Sequence, residues 1–270
     1  MIQKELARYE EGQRYFEPFL GGGAVFFAAQ PKLATLSDLN RPLIATFLAV
    51  KNHPNDVLAA LARLPPPASQ EEYYARRQEL NNHLTSDPPS SGPGAIEMAA
   101  LLIWMNHTCF NGLFRVNSRG GFNVPYGFYR NPSIFSKANI RAASRALRNG
   151  HADLRAEDFE SALRTAEKGD FVYLDPPYQP LTATAKFTSY TPNGFGEKDQ
   201  ERLARVVHDL VSRGCHVVLS NSATPEIRVL YGDLPQRVVR VPRAINCIGS
   251  KRAPVEELVI ASPGLGPASA

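Results

Sequence analysis

The stretch FVYLDPPY, residues 171–178, joins a short apolar run to a rigid polar turn. Its first four residues are β-prone, and the two prolines fix the backbone just after the predicted strand. Ligands of α/β proteins bind at the carboxyl edge of the sheet, where such strands end. The turn would present the Asp175 carboxylate, the Pro176 carbonyl and the Tyr178 ring there. Taken alone, the same turn could be purely structural.

Further β-prone runs lie outward from this stretch, at residues 14–19, 33–37, 216–220 and 257–261. A helical pattern at 198–212 precedes one of them and has Gly214 as a stop signal. The residues that it places on one face are Leu203, Val206, Val207, Leu210 and Val211. Strands that alternate with helices predict a parallel α/β sheet.

The middle of the chain has a different pattern. Pro-rich stretches at 65–69 and 86–94 read as linkers or loop tips, and the segments 70–84 and 95–107 are predicted helices. We therefore expect a discontinuous α/β domain at 1–51 and 141–261 and a mostly helical insertion at 52–140. The Pro/Gly/Ser/Ala tail, 262–270, is predicted to be disordered.

A glycine loop follows the first predicted strand, in the stretch EPFLGGGAVFF at residues 17–27. Glycines allow a tight turn and a close approach of the backbone to a ligand. The spacing does not match G-x-G-x-x-G, which argues against a dinucleotide-binding dehydrogenase. A plain connection remains the alternative. Asp38, after the next strand, either holds ribose hydroxyls or caps the helix that starts near Pro42.

Composition excludes several classes of protein. The chain has 270 residues, 43% of them hydrophobic and 21% charged, which is ordinary for a soluble globular protein. It lacks both an apolar run long enough to cross a bilayer and a secretory signal. The three cysteines have no metal-ligand spacing, so we expect a cytoplasmic protein with no metal and no membrane partner.

The formal net charge is +4, and basic residues concentrate between Arg115 and Arg148. This stretch is compatible with a polyanionic partner, but a solvated helix face explains part of it equally well.

The polar turn suits methyl transfer to an exocyclic aromatic amine. Such an amine is a poor nucleophile because its lone pair is delocalised into the ring. The Asp175 carboxylate and the Pro176 carbonyl could accept its two hydrogens, which favours a pyramidal nitrogen facing a methyl sulfonium. Tyr178 could stack on a flipped base. This chemistry needs no metal, and in-line positioning provides most of the acceleration.

Together, these motifs resemble the Dam-type family of DNA adenine methyltransferases over residues 14–260. The resemblance implies a Rossmann-like α/β sheet dependent on S-adenosylmethionine, with a mostly helical inserted target-recognition domain and double-stranded DNA as substrate; we expect a monomer. The catalytic residues that it implies are Asp175, Pro176, Pro177 and Tyr178. The cofactor-binding residues that it implies are Glu17, Pro18, Phe19, Gly21, Gly22, Gly23, Asp38, Asp158, Phe159 and Asp175. Asn221 and Ser222 match a further strand-end position of the family.

Residues 110–115 and 119–129 are similar to the DNA-reading hairpin of family members that methylate GATC, and residues 180–190 also resemble those members. Arg115 could bond guanine bidentately, Leu113 could touch a thymine methyl group, and Phe110 could fill the space left by a flipped base. Turn chemistry is the alternative for Asn111 and Asn123. The predicted DNA-binding residues are Phe110, Asn111, Leu113, Arg115, Asn123, Pro125, Tyr129, Lys251 and Arg252, the last two as phosphate contacts.

One departure from the family concerns the amino terminus. The family carries a Lys-Trp-x-Gly-Lys segment about twenty residues before the cofactor loop, whereas only residues 1–13 precede the first predicted strand here. We therefore expect weak binding of S-adenosylmethionine. Two alternatives stay open: a DNA-binding pseudoenzyme, or a methyltransferase acting on another amine. Asp175 favours adenine, because serine often leads this motif in cytosine-amine relatives and asparagine in many RNA and protein ones.

Overall fold

The computed structural model describes residues 9, 10, 12–130, 132–179, 194–241 and 255–263. The strands in this part of the chain are β1 (Tyr15–Glu17), β2 (Ala34–Ser37), β3 (Asp153–Arg155), β4 (Phe171–Leu174), β5 (His216–Ser222), β6 (Gln236–Val241) and β7 (Val255–Ala261). The helices are α1 (Ala24–Ala29), α2 (Arg41–Asn52), α3 (Pro54–Ala62), α4 (Gln70–Leu84), α5 (Gly92–Thr108), α6 (Lys137–Asn149), α7 (Phe159–Ala162), α8 (Glu197–Ser212) and α9 (Pro225–Leu230), with a 3-10 turn at Phe110–Gly112.

The chain divides into two compact units. The first, which we call the sheet unit, comprises Met1–Ser37, Glu157–Phe187 and Phe195–Ala270; the second, the helical unit, comprises Asp38–Ala156 and Thr188–Gly194. The predicted insertion, 52–140, lies within the helical unit.

The strands of the sheet unit have the order β2-β1-β4-β5-β7-β6, and β3 belongs to the helical unit. β2, β1, β4 and β5 are parallel to their neighbours in this series, whereas β7 is antiparallel to both β5 and β6. The predicted parallel sheet is therefore correct for these four strands, and a β7–β6 hairpin pair extends it. The mixed α/β fold is confirmed.

The core of the sheet unit lies between the sheet and α8. Of the predicted apolar face, Leu203, Val207 and Leu210 are buried in one hydrophobic cluster with the β4 residues Val172 and Leu174. Val206 and Val211 are partly buried against this cluster. Burial of such apolar area drives folding. The parallel strands consequently end at a common, well-supported edge.

The helical unit has its own core around α5. Trp104 of α5 is fully buried, stacks on Tyr73 of α4 at 6.1 Å between ring centroids, and donates its indole N–H to the Pro65 carbonyl at 2.9 Å. α5 starts at Gly92, three residues before the predicted start, because Pro93 is tolerated in the first helical turn.

Strand positions follow the predicted runs closely, with two exceptions. β3 is only three residues long, and β6, QRVVRV, carries two arginines on an edge strand, so neither has a strong apolar signal. Ser262, the first residue of the predicted tail, is buried and exchanges two hydrogen bonds with Val217. Residues 264–270, the 180–190 segment and the pair Lys251 and Arg252 lie outside the described residues.

None of the described helices is long and apolar enough to cross a membrane. Within the same residues, no group of three or more His, Cys, Asp or Glu side chains is placed to hold a metal ion.

Candidate functional site

The turn 175–178 follows β4 at the carboxyl end of the parallel strands. The Ser220 hydroxyl on the adjacent β5 donates a hydrogen bond of 2.7 Å to Asp175 Oδ1. Desolvation of the carboxyl group raises the pKa of Asp175, even though the residue as a whole is exposed, and hydrogen bonds from Ser220 and Tyr178 oppose this shift. The turn thus presents, at the edge of the sheet, a carboxylate that the Ser220 hydroxyl orients.

Tyr178 is the accessible aromatic residue of this turn. Its side chain is exposed, and its hydroxyl lies 3.4 Å from Glu257 Oε2 on β7. An exposed ring beside a carboxylate is a surface on which a planar base can stack.

Buried amides lie behind the turn. Gln200 of α8 donates from Nε2 to the Pro177 carbonyl at 3.0 Å, and its Oε1 accepts from Asn221 Nδ2 at 3.0 Å. Asn221 Oδ1 accepts from the Gln179 backbone N–H at 3.2 Å. Asn221 and Ser222 lie inside β5, which runs two residues beyond its predicted end.

The glycine loop connects β1 to α1. Gly21 and Gly23 have φ values of 47° and 67°, in the left-handed region that favours glycine. A Cβ atom built on Gly21 or Gly22 would meet no atom of the described residues within 4 Å, so these residues leave the backbone open on that side. This openness fits a loop that a ligand approaches closely.

Glu17 ends β1 just before this loop and is almost fully buried. The Tyr15 hydroxyl donates a 2.7 Å hydrogen bond to Glu17 Oε2. Burial raises the pKa of the Glu17 carboxyl to about 8, and the charge of Asp175 adds to the rise. Asp175 likewise adds to a raised pKa of Glu257, for which desolvation is the main cause.

These carboxyl groups fit a cationic ligand. The charge of Asp175 contributes to the raised pKa values of both Glu17 and Glu257. A positive charge nearby would favour the ionised forms of all three carboxyl groups. A cation bound at this edge would therefore oppose the raised pKa values of these carboxyl groups.

Asp158 and Phe159 begin α7. The Asp158 carboxylate caps this helix by accepting from the Glu160 N–H, and it receives two hydrogen bonds of 2.9 and 2.8 Å from Arg202. The Arg202 guanidinium also lies over the Phe159 ring, 4.3 Å from its centroid. The Phe159 ring is buried in the core, so its backbone is the part that can reach a ligand.

In the helical unit, Asp38 directly follows β2 and is buried. Its Oδ1 accepts the Asn40 N–H at 2.9 Å, while Asn40 itself caps α2 by accepting from the Leu43 N–H. The helix cap considered for Asp38 is therefore made by Asn40 instead.

The segment 109–129 forms a hairpin, also within the helical unit. Antiparallel bridges pair Cys109 with Tyr126 and Val116 with Phe122. Arg115 is exposed, and its Nε and Nη2 donate to the side chain and backbone oxygens of Asn123 at 2.7 and 3.3 Å. Asn123 thus orients the arginine.

Other predicted hairpin residues have structural partners as well. Asn111 adopts a left-handed φ of 54°, and its backbone N–H donates to the Tyr129 hydroxyl at 2.9 Å. The Pro125 carbonyl accepts from the Phe110 N–H, while the Phe110 ring is exposed and Leu113 is half-buried. Asn111 therefore does have the turn conformation considered as its alternative.

Side chains of helix α4 hydrogen-bond to the backbone of the hairpin. Asn81 accepts from the Phe122 N–H and donates to the Phe122 carbonyl, at 2.7 and 3.1 Å, and the Tyr73 hydroxyl donates to the Val124 carbonyl at 2.9 Å. These bonds satisfy backbone groups that a regular sheet would otherwise pair.

Comparison with known proteins decides the class. Residues 1–244 match the model of a family described as D12 class N6 adenine-specific DNA methyltransferase. The chain belongs to this family. The predicted enzyme class, an adenine-specific DNA methyltransferase, is confirmed, and S-adenosylmethionine is the methyl donor that this membership implies.

Several relatives are similar over most of their length. The type II methyltransferase M1.LlaDCHI of Lactococcus lactis subsp. cremoris is 38% identical over 255 residues, covering 94% of this chain and 88% of the relative. The type II methyltransferase M.MjaIII of Methanocaldococcus jannaschii is 37% identical, with 93% and 88% covered. The DNA adenine methylase of Escherichia coli K12 is 34% identical, with 94% and 88% covered.

Sequence reasoning missed three residues of the candidate site: Ser220 and Gln200, which bond the turn, and Arg202, which bonds Asp158. A signal existed for Gln200, because it lies three positions before Leu203 and seven before Val207, on the buried face of α8. A polar residue on an apolar face needs a buried partner. Ser220 and Arg202 left no comparable pattern in the sequence.

Proposed function

We propose that this chain methylates the 6-amino group of adenine within GATC in duplex DNA, after the target base leaves the helix. The turn 175–178 is the main support for this proposal. It combines the Asp175 carboxylate, which Ser220 orients by a hydrogen bond, with the exposed Tyr178 ring at the carboxyl edge of the sheet. Bound S-adenosylmethionine supplies an electrophilic methyl group.

Each residue of the turn has a role in this proposal. The Asp175 carboxylate and the Pro176 carbonyl accept hydrogen bonds from the two N–H groups of the amine. These bonds orient the nitrogen lone pair toward the methyl group. Ser220 fixes Asp175 Oδ1, so the carboxylate is oriented before substrate arrives. Tyr178 stacks on the flipped adenine and replaces the stacking lost from the duplex. Pro177 holds the turn rigid.

The cofactor-binding residues of this proposal follow strands or begin a helix in their own units. The glycine loop at 21–23, with Glu17, Pro18 and Phe19 before it, provides open backbone beside buried carboxyl groups. Asp158 binds the adenine ring of the cofactor, with Arg202 and the α7 backbone holding its carboxylate in one rotamer. Asp38 binds the ribose.

Recognition of GATC is assigned to the hairpin 109–129. The exposed Arg115 reads guanine in this proposal. Asn123 orients the guanidinium through Nε and Nη2, and Nη1 makes no hydrogen bond to the described residues. Leu113, Asn111 and Phe110 contact the neighbouring bases, and Tyr129 supports Asn111 through its hydroxyl. Lys251 and Arg252 stay predicted phosphate contacts.

A methyl-transfer assay with purified protein tests the proposal. Labelled S-adenosylmethionine is supplied with a duplex containing one GATC, and with duplexes in which one base pair of that site is changed. We expect transfer to the GATC duplex alone, with N6-methyladenine as the product by mass spectrometry.

Other outcomes separate the alternatives. Methyladenine in a different sequence would leave the reaction intact and refute GATC. N4-methylcytosine would refute adenine as the target. Duplex binding with no transfer, at saturating S-adenosylmethionine, would identify a pseudoenzyme, and Asp175→Ala serves as the inactive reference.

A further inference from the structure

Two buried side chains link the peptide groups on either side of Tyr178. Gln200 and Asn221 are 1% and 0% exposed, and they come from α8 and β5. Gln200 bonds the Pro177 carbonyl, which belongs to the peptide before Tyr178. Asn221 bonds the Gln179 N–H, which belongs to the peptide after it. The two side chains also bond each other at 3.0 Å. The three hydrogen bonds therefore connect the Pro177 carbonyl to the Gln179 N–H through Gln200 and Asn221.

The backbone groups at its ends determine the orientation of both amides. A carbonyl only accepts, so Gln200 must present Nε2 to Pro177 and Oε1 to Asn221. A backbone N–H only donates, so Asn221 must present Oδ1 to Gln179 and Nδ2 to Gln200. Both requirements are met at the same time, and neither amide can flip without breaking two bonds.

Gln179 is also held on its other side. The Ser222 hydroxyl donates to the Gln179 carbonyl at 2.7 Å, and the Ser222 N–H donates to Asn221 Oδ1 at 2.8 Å. These side chains satisfy polar backbone groups that have left the β4 ladder. The turn is therefore held by side chains rather than by sheet pairing.

Tyr178 needs such support because its own ring is exposed. Tyr178 is 36% exposed, and its hydroxyl lies 3.4 Å from Glu257 Oε2. The direction in which its side chain leaves the backbone depends on the φ and ψ angles of the residue. Those two angles are set by the peptides before and after the residue, which are the peptides that Gln200 and Asn221 bind.

We propose that Gln200 and Asn221 act together as an amide clamp that aims the Tyr178 ring at the flipped adenine. The clamp comprises these two side chains and their bonds to Pro177 and Gln179. They are positioning residues, not catalytic ones. The proposal rests on the function proposed above, in which Tyr178 stacks on the target base.

Steady-state methylation of a duplex that the wild-type protein methylates tests the clamp. Gln200→Met removes both of its bonds at similar volume, and Asn221→Asp keeps the acceptor for Gln179 but loses the donor to Gln200. We expect kcat to fall about ten- to a hundredfold in each, since misplacement by about 1 Å costs up to about 100-fold, while the KM for S-adenosylmethionine stays near the wild-type value. The matched control is Glu201→Gln, an exposed neighbour on α8, which should retain the wild-type kcat.

A double-mutant cycle separates positioning from a general loss of stability. In a Tyr178→Ala background there is no ring to aim, so adding Gln200→Met should change kcat by less than about twofold. If Gln200→Met lowers kcat equally with and without the Tyr178 ring, the clamp acts by another route and the proposal is overturned.

Amide hydrogen exchange tests the clamp without relying on methyl transfer. The Gln179 N–H should be protected in the wild-type protein and exchange faster in Asn221→Ala and Gln200→Met, with unchanged exchange in the β4 amides. Fast exchange of Gln179 in the wild-type protein would refute the clamp. A protein with a protected Gln179 that methylates no DNA would refute the proposed function, and with it the aiming of Tyr178 at adenine, while the hydrogen bonds of the clamp would be confirmed.

Discussion

The turn 175–178, proposed as catalytic, and the hairpin 109–129 are both irregular segments, but they are held in different ways. The turn is supported by side chains from two core elements, through Ser220, Gln200 and Asn221, and its carboxylate has a raised pKa. The hairpin has its backbone held by α4, whereas Arg115 and Phe110 are exposed. The residues proposed for the chemistry are thus oriented by hydrogen bonds from core elements. The residues assigned to base reading are exposed, so their substitution need not disturb the core.

The largest expected effect is that of Asp175→Ala. Methyl transfer should fall by about 100-fold or more, because removal of one preorganised polar group at a reacting centre costs about 10²–10³. Affinity for duplex DNA should be nearly unchanged. Single-turnover transfer and fluorescence anisotropy measure the two quantities.

Asp175→Asn is the matched control, since it keeps the shape and one acceptor oxygen, and it should retain more activity than the alanine variant. An alanine variant with more than a few per cent of the wild-type rate would remove Asp175 from the centre of the mechanism.

The second prediction concerns the buried carboxyl of the sheet edge. Glu17 has a pKa of about 8 in the folded protein against an ordinary value of 4.5. Between these pH values the unfolded chain releases the proton and the folded chain keeps it, so stability falls with rising pH by up to about 1.4 kcal/mol per unit. Glu17→Gln should lack this fall, so its stability relative to wild type should rise from pH 5 to pH 8.

Urea unfolding curves measure this difference, and Glu201→Gln, an exposed carboxylate, is the control. Below pH 4.5 the Glu17 carboxyl is protonated in both the folded and the unfolded protein. Its contribution to the pH dependence of stability should therefore vanish there. Parallel stability profiles for Glu17→Gln and wild type would show that the folded protein does not hold this proton.

Gly127→Ala should damage the hairpin but not the turn. A Cβ atom at this position would lie 2.7 Å from the Cys109 carbonyl oxygen and 2.9 Å from that of Thr108, both backbone atoms that cannot yield easily. Overpacking of this kind costs about 1–3 kcal/mol. We expect weaker binding to all DNA sequences and unchanged binding of S-adenosylmethionine by calorimetry.

Gly120→Ala is the contrasting variant, because no atom in the described part of the chain lies within 4 Å of its added Cβ, although its φ of 80° still imposes backbone strain. It should weaken DNA binding less than Gly127→Ala. Equal effects would mean that strain, and not the close approach of Gly127 to the backbone, limits the hairpin.

The smallest and most local effect is expected for Arg115→Ala. Loss of one bidentate base contact should weaken the cognate site by about 1–3 kcal/mol and relax discrimination at one base pair. Binding to duplexes with each base pair of the site varied in turn measures it. Arg119→Ala, an exposed arginine of the same hairpin, is the control. Equal weakening of cognate and non-cognate sites by Arg115→Ala would make it a phosphate contact.

Much of the sheet edge could be predicted from local patterns. The β4 run and its prolines, the glycine loop after β1 and the amphipathic face of α8 are all readable within a few residues, and the structure has these elements close to the predicted positions. Short or charged strands such as β3 and β6 could not be predicted, because three residues or an arginine-bearing edge lack the apolar pattern of a buried strand.

The sequence by itself determined the kind of chemistry, since Asp175, Pro176 and Tyr178 are consecutive or nearly so and one turn brings them together. Only the tertiary structure decided what holds that turn. Ser220 meets Asp175 across 45 residues, Asn221 meets Gln179 across 42, and Gln200 meets Pro177 across 23. Such pairs depend on strand register and helix packing, because hydrogen bonds need partners within about 3 Å and no local pattern encodes that separation.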